Sequence, residues 1–215
     1  NFLPLIFKSF GDYKPGLYIY LTVPSIALFG LNELAVRLPS AIIGVLTVWL
    51  TFQFVLLLFK KKVPALWSSF ALAISHWQLQ FSRGAWEANL ALFLVLLGIF
   101  SFLKDEAKKF KWLYLSAASF ALTLFAYQSS KLFVPLIIFG LLIFFNKKIK
   151  NLPKKHLLIN FVLLLIIAFP YIKISNFGFA NLNFSFSSGW FLPYGIWLFS
   201  LAGFPVLPEM RDMFN

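Results

Sequence analysis

Long apolar runs set the strictest limit on the fold. They lie at 38–59, 63–81, 84–103, 112–129, 132–146, 157–172 and 190–207, separated by short polar joints. A bilayer core about 30 Å thick is crossed by roughly 20 apolar residues in a helix. Inside that core each segment must satisfy its own backbone hydrogen bonds, so runs of this length are expected to be helices. The run at 132–146 is short, but Lys131 and Lys147 flank it and can snorkel to opposite surfaces. Pro193, Gly195, Gly203 and Pro205 interrupt the last run, which reads as a span or as a re-entrant or interfacial segment. The expected fold is all-α, a polytopic transmembrane helix bundle of about 6–7 spans with external juxtamembrane helices.

Composition agrees. Only 12% of the 215 residues are charged and 60% are hydrophobic, with 29 phenylalanines, whereas soluble domains carry about 25% charged residues. The net charge of +12 does not spread over a basic surface, so nucleic acid is not an expected partner. It collects in short loops: 60–62, 104–111 and 147–155 hold twelve lysines, against six Lys and Arg on the opposite side before residue 208. By the positive-inside rule the lysine loops face the cytoplasm. Residues 1–37, 82–87, 129–131 and 173–189 then face outward, placing a multi-pass chain in the cell membrane. There is no cysteine, and His76 and His156 are far apart in sequence, so neither thiolate chemistry nor a metal site is expected.

The chain is expected to form one transmembrane domain over 1–215, with external surface helices over 1–37 and the bundle over 38–207. In "NELAVRLPSA" Asn32 can cap a short helix, Glu33 and Arg37 are spaced as an i,i+4 pair, and Pro39 suits the first turn of the next helix. The opening "NFLPLIFKSFGDYKP" has neither an initiator Met nor a basic leader, which reads as a fragment.

On this topology Asp12, Lys14, Glu33, Arg37, Arg83, Glu87 and Lys131 all fall on the outer side, at or near helix ends. Ionisable groups at membrane depth are costly and usually face a cavity or a partner. A cavity rimmed by Lys and Arg suits an anionic head group such as a lipid phosphate. Each residue also has a plainer reading. Arg83 and Glu87 could be a surface ion pair contributing ~0.2–1 kcal/mol. Glu33 and Arg37 read first as a structural pair. Lys14 and Lys131 read equally well as snorkelling lysines, and Tyr18, Trp77 and Trp86 as belt aromatics.

Three stretches in order, "GDYKPGLYIYL", "GLNELAVRLPSAIIGVLTV" and "FSRGAWEAN", resemble the membrane glycosyltransferases of the protein O-mannosyltransferase and aminoarabinose-transferase superfamily, which have the C-type fold. That family shows a K/H-P-P-L-Y-like stretch, then R-x-P-S-A entering a span, then S-R-x-A-x-x-[DE]. The resemblance covers about residues 1–103, with "AYQSSKLFVPL" (126–136) similar to a weaker Tyr…Lys/Arg…Pro pattern. Gly16 stands where the family often has a second proline, and His76-Trp77 where Ser-Pro or His-Pro is frequent.

The resemblance implies an inverting glycosyltransferase that moves a sugar from a polyprenyl-phosphate donor to a protein or glycolipid hydroxyl on the external face. The lipid-linked sugar is a substrate, and no cofactor or metal is implied. Lys14, Arg83 and Lys131 would meet the phosphate, Glu87 would orient Arg83 or line the cavity, and Glu33 with Arg37 would fix the surface helices. The family's catalytic Asp follows the first span, upstream of the Lys-Pro stretch. Asp12 does not match that position, so the acid and the first span are expected upstream of this chain, and the region after its end is expected to carry acceptor contacts. The alternatives are a multi-span transporter or lipid flippase and a non-enzymatic membrane scaffold.

Overall fold

A computed structural model describes residues 6–9, 12–105, 110–150 and 152–174. Among them, a short antiparallel hairpin of β1 (Ile6–Ser9) and β2 (Asp12–Pro15) precedes nine helices. These are α1 (Leu17–Phe29), α2 (Glu33–Phe59), α3 (Lys62–Ile74), α4 (His76–Arg83), α5 (Glu87–Lys104), α6 (Lys111–Ala126), α7 (Ser130–Phe144), α8 (Asn146–Lys150) and α9 (Lys154–Ile174). The expected all-α class holds. Among the described residues, two helices, α2 and α5, are long and apolar enough to cross a membrane, and α1, α3, α6 and α7 are shorter apolar helices.

The structure differs from the sequence expectations at four places. Residues 6–9 and 12–15 are strands, not surface helix, with Phe7 opposite Lys14 and Ser9 opposite Asp12. Gly11 and Pro15 disfavour a helix here, while Phe7 and Tyr13 suit strands. The run 63–81 breaks at Ser75, whose extended backbone (φ −60°, ψ 124°) separates α3 from the polar α4. Likewise 84–103 becomes a helix only from Glu87. The run 190–207 lies outside the described residues.

The fourth difference is Pro39. It sits inside α2, not in a first turn, and Glu33 to Phe59 form one helix. A proline has no N–H for the carbonyl four residues earlier, which here is Ala35. The Ser25 hydroxyl of α1 donates to that Ala35 oxygen at 2.6 Å, and Tyr18 of α1 donates to the Val36 oxygen at 2.9 Å. Asn32 joins the same two helices: its Oδ1 accepts from the Ala35 N–H at 2.8 Å, and its Nδ2 donates to the Phe29 oxygen at 2.8 Å. Thus α1 presents Tyr18, Thr22 and Ser25 to α2 and leaves Leu28 and Phe29 exposed.

Lipid is as apolar as leucine, so helices in a bilayer associate through close packing and polar links rather than by leaving water. Close packing occurs at Gly44, where an added Cβ would stand 2.5 Å from the Ser82 Cβ of α4. Tyr18, Ile43, Leu90, Ala91, Leu94 and Ala126 pack together, bringing the start of α5 and the end of α6 beside α1 and the first half of α2. Phe102, Leu113 and Leu152 pack together at the opposite end.

That opposite end has its own polar joint. The last carbonyls of a helix lack intrahelical donors. Lys148 of α8 supplies one to α5, donating to the Phe102 oxygen at 2.6 Å and the Leu103 oxygen at 3.0 Å. His156 of α9 stacks on Phe110, with ring centroids 3.6 Å apart, and hydrogen-bonds Tyr114 of α6 through Nδ1 at 2.6 Å. Asp105, only 3% exposed, follows α5. Burial raises its carboxyl pKa, and the Lys148 ammonium, the Leu113 backbone and His156 offset this only in part. A carboxyl whose folded pKa is raised contributes stability at low pH that is lost as pH rises through the raised value. Asp105→Asn is therefore expected to raise the melting temperature at neutral pH. That gain should shrink as the pH falls into the ordinary carboxylate range, which a pH series of thermal melts reads directly.

Candidate functional site

Segments carrying Lys14, Glu33, Arg37, Arg83, Glu87 and Lys131 gather at the Asn32 end of the bundle. Contacts between the first parts of α2 and α5 make these helices parallel, and α6 ends beside them. A connection of three residues then leads from α6 to Ser130, the first residue of α7, with Lys131 next. Strand β2, which carries Lys14, packs against α6.

Glu33 and Arg37 form an ion pair at 3.4 Å within the first turns of α2, with side chains 83% and 57% exposed. Glu33 stands in the first turn, where the positive end of the helix dipole favours a carboxylate. Such an exposed pair contributes ~0.2–1 kcal/mol.

Arg83 and Glu87 do not share a helix, so their four-residue spacing does not set them on one helical face. Arg83 closes α4 and Glu87 opens α5, with Gly84, Ala85 and Trp86 between. Each charge has the sign that its own helix end favours. A Cβ on Gly84 would meet the Trp86 indole, so a larger residue there would displace that ring from its present place against the joint. Phe81 lies 4.6 Å from Trp77 and 5.8 Å from Trp86, centroid to centroid, so aromatic rings from both sides of the joint pack on one another. Arg83 and Lys14 are exposed, and Glu87 and Lys131 are partly buried.

Two residues that the sequence did not single out hold this segment. Ser40, fully buried in α2, donates through Oγ to the Phe81 oxygen at 3.0 Å, one of the carbonyls left without a helical donor at the end of α4. Asn89, 1% exposed in α5, donates through Nδ2 to the Ser40 oxygen at 2.8 Å and to the Ser40 Oγ at 3.0 Å. Ser40 thus grips the chain two residues before Arg83 and two residues after Glu87. It belongs to "RLPSA" and Asn89 to "FSRGAWEAN", so two of the stretches that carry the family resemblance meet through three hydrogen bonds. Tyr18 of "GDYKPGLYIYL" lies in the same cluster, and burial pushes its phenol pKa up. A serine immediately after Pro39 and an asparagine two places after Glu87 were the available signals, and neither states a contact across 49 positions.

Among the described residues the chain is an apolar helical bundle whose α2 and α5 are long and apolar enough to cross a membrane, with mixed-sign charge collected at one end. The chain belongs to the dolichyl-phosphate-mannose-protein mannosyltransferase family, whose sequence model matches residues 13–172. It is therefore a glycosyltransferase of the membrane mannosyltransferase type. No curated protein and no solved structure matches the chain.

Proposed function

We propose that the Asn32 end of the bundle receives the phosphate of a polyprenyl-phosphate sugar and transfers the sugar to a hydroxyl of a protein or glycolipid acceptor. The acceptor oxygen attacks the anomeric carbon while the bond from that carbon to the phosphate oxygen breaks. The electron pair leaves with polyprenyl phosphate, the hydroxyl proton passes to a carboxylate base, and the configuration inverts. Negative charge grows on the departing phosphate, and preorganised cations stabilise it. Lys14, Arg83 and Lys131 take that role; Glu87 orients the joint that carries Arg83. None of these residues is assigned as the base. The reaction faces the exterior of the cell membrane, with α2, α3, α5, α6, α7 and α9 as alternating crossings and the lysine loops inside.

The observation that carries this reading is the Ser40 junction, which fixes the Arg83–Glu87 segment beside the end of α6, where Lys14 and Lys131 enter, in a chain matched to the family over 13–172. A transporter is not favoured, because membership of the family points to sugar transfer.

The test uses the full-length protein in proteoliposomes with radiolabelled polyprenyl-phosphate hexoses and pentoses and with peptide and glycolipid acceptors. Release of polyprenyl phosphate with label on an acceptor is the expected result. Movement of the donor across the bilayer without transfer would overturn the proposal.

A further inference from the structure

The end of the bundle opposite the proposed transfer site carries a second charged surface, which the transfer chemistry does not use. Lys60, Lys61, Lys62, Lys104, Lys111 and Lys150 are all exposed there. Their placement at one end follows from the parallel α2 and α5 and from the packing of Phe102 with Leu113 and Leu152. Asp105 is buried, so among the described residues of this end the exposed charge is of one sign.

These lysines stand at the ends of apolar helices. Lys60 is the C-terminal cap of α2 and Lys104 is the last residue of α5, and both helices are long enough to cross a bilayer. Lys104 also lies over two rings, 4.1 Å from the Trp112 centroid and 5.2 Å from that of Phe100. An ammonium held against a tryptophan at the end of a lipid-length helix sits at the depth of phospholipid headgroups. A nucleic-acid surface would instead present its cations away from the ends of membrane helices.

We propose that this end is a binding surface for anionic phospholipid headgroups. Its anchor is Lys104 on Trp112, beside Lys111, with Lys60, Lys61 and Lys62 as a second group at the joint of α2 and α3. Basic residues at a membrane surface attract anionic lipid, each changing affinity about fivefold. Lys148 provides a control within the same end. Its ammonium is committed to the Phe102 and Leu103 carbonyls, so it serves the fold and not the lipid.

The experiment places the full-length protein in nanodiscs of phosphatidylcholine with increasing phosphatidylglycerol and measures thermal unfolding and the phosphatidylglycerol retained. The expected result is a melting temperature that rises with phosphatidylglycerol, and a rise that weakens in high salt. The variant Lys104→Gln/Lys111→Gln and the variant Lys60→Gln/Lys61→Gln/Lys62→Gln should each retain phosphatidylglycerol at least about tenfold more weakly. Lys148→Gln should lower the melting temperature equally in both lipids and leave the phosphatidylglycerol response intact. Equal behaviour in the two lipids, or an unchanged response in both multiple variants, would overturn the proposal. So would equal displacement of the lipid by a short DNA duplex. Because the readout is lipid dependence and not transfer, the outcome is independent of the proposed reaction.

Discussion

Asn89→Asp is expected to destabilise the bundle by about 3 kcal/mol at neutral pH, far more than a change of one atom suggests. The side chain is 1% exposed, and its amide donates to both the Ser40 carbonyl and the Ser40 hydroxyl. An ionised carboxylate there has no proton to donate, meets a carbonyl oxygen head-on, and is a charge in an apolar bundle, which costs ~2.5–3.5 kcal/mol. Asn89→Leu removes the same two bonds without adding a charge and should cost only about 1 kcal/mol, since hydrogen bonds between membrane helices contribute modestly. Protonation restores one donor, so the Asp variant should recover stability as the pH falls, whereas the Leu variant should not. Thermal melts of the three proteins at neutral and acidic pH separate these outcomes; equal cost for Asp and Leu would remove Asn89 from its assigned place.

Arg83→Ala is expected to have the opposite profile. Arg83 is exposed at the end of α4, so its loss should leave the melting temperature within the range of an ordinary surface substitution. Transfer should fall roughly 100-fold in kcat, the size seen when one preorganised group that stabilises developing charge is removed. Arg83→Lys keeps the charge but loses the planar fork, and should retain an intermediate rate. Stopped assays of sugar transfer, run beside melts, give both numbers. Full transfer by a folded Ala variant would take Arg83 out of the phosphate site.

Local signals in the sequence carried far. The capping role of Asn32, the Glu33–Arg37 spacing and most apolar runs reappear as observed, because each depends on residues within one or two helical turns. Contacts between distant residues were not legible. Ser40 and Asn89 are 49 positions apart, and Lys148 lies 46 residues from the Phe102 carbonyl it serves. Nothing in the local composition around Lys148 distinguishes it from the exposed lysines nearby. Charge counting set Arg83 and Glu87 between two apolar runs on the outer side, but it could not show that Arg83 closes one helix and Glu87 opens the next. The hairpin at 6–15 escaped because its strands are four residues long and carry no long alternating pattern.

Pro39 has a consequence for how the first helices find one another. Within a continuous α2 most backbone acceptors are occupied by the helix itself, and one docking position along such a rod is chemically much like the next. By withholding an N–H, the proline exposes the Ala35 oxygen as a distinct address, and Ser25 is the group that reads it. Sliding α1 by one turn would leave that acceptor empty in an apolar setting. The imino acid that weakens the helix locally thereby gives the neighbouring helix a single register.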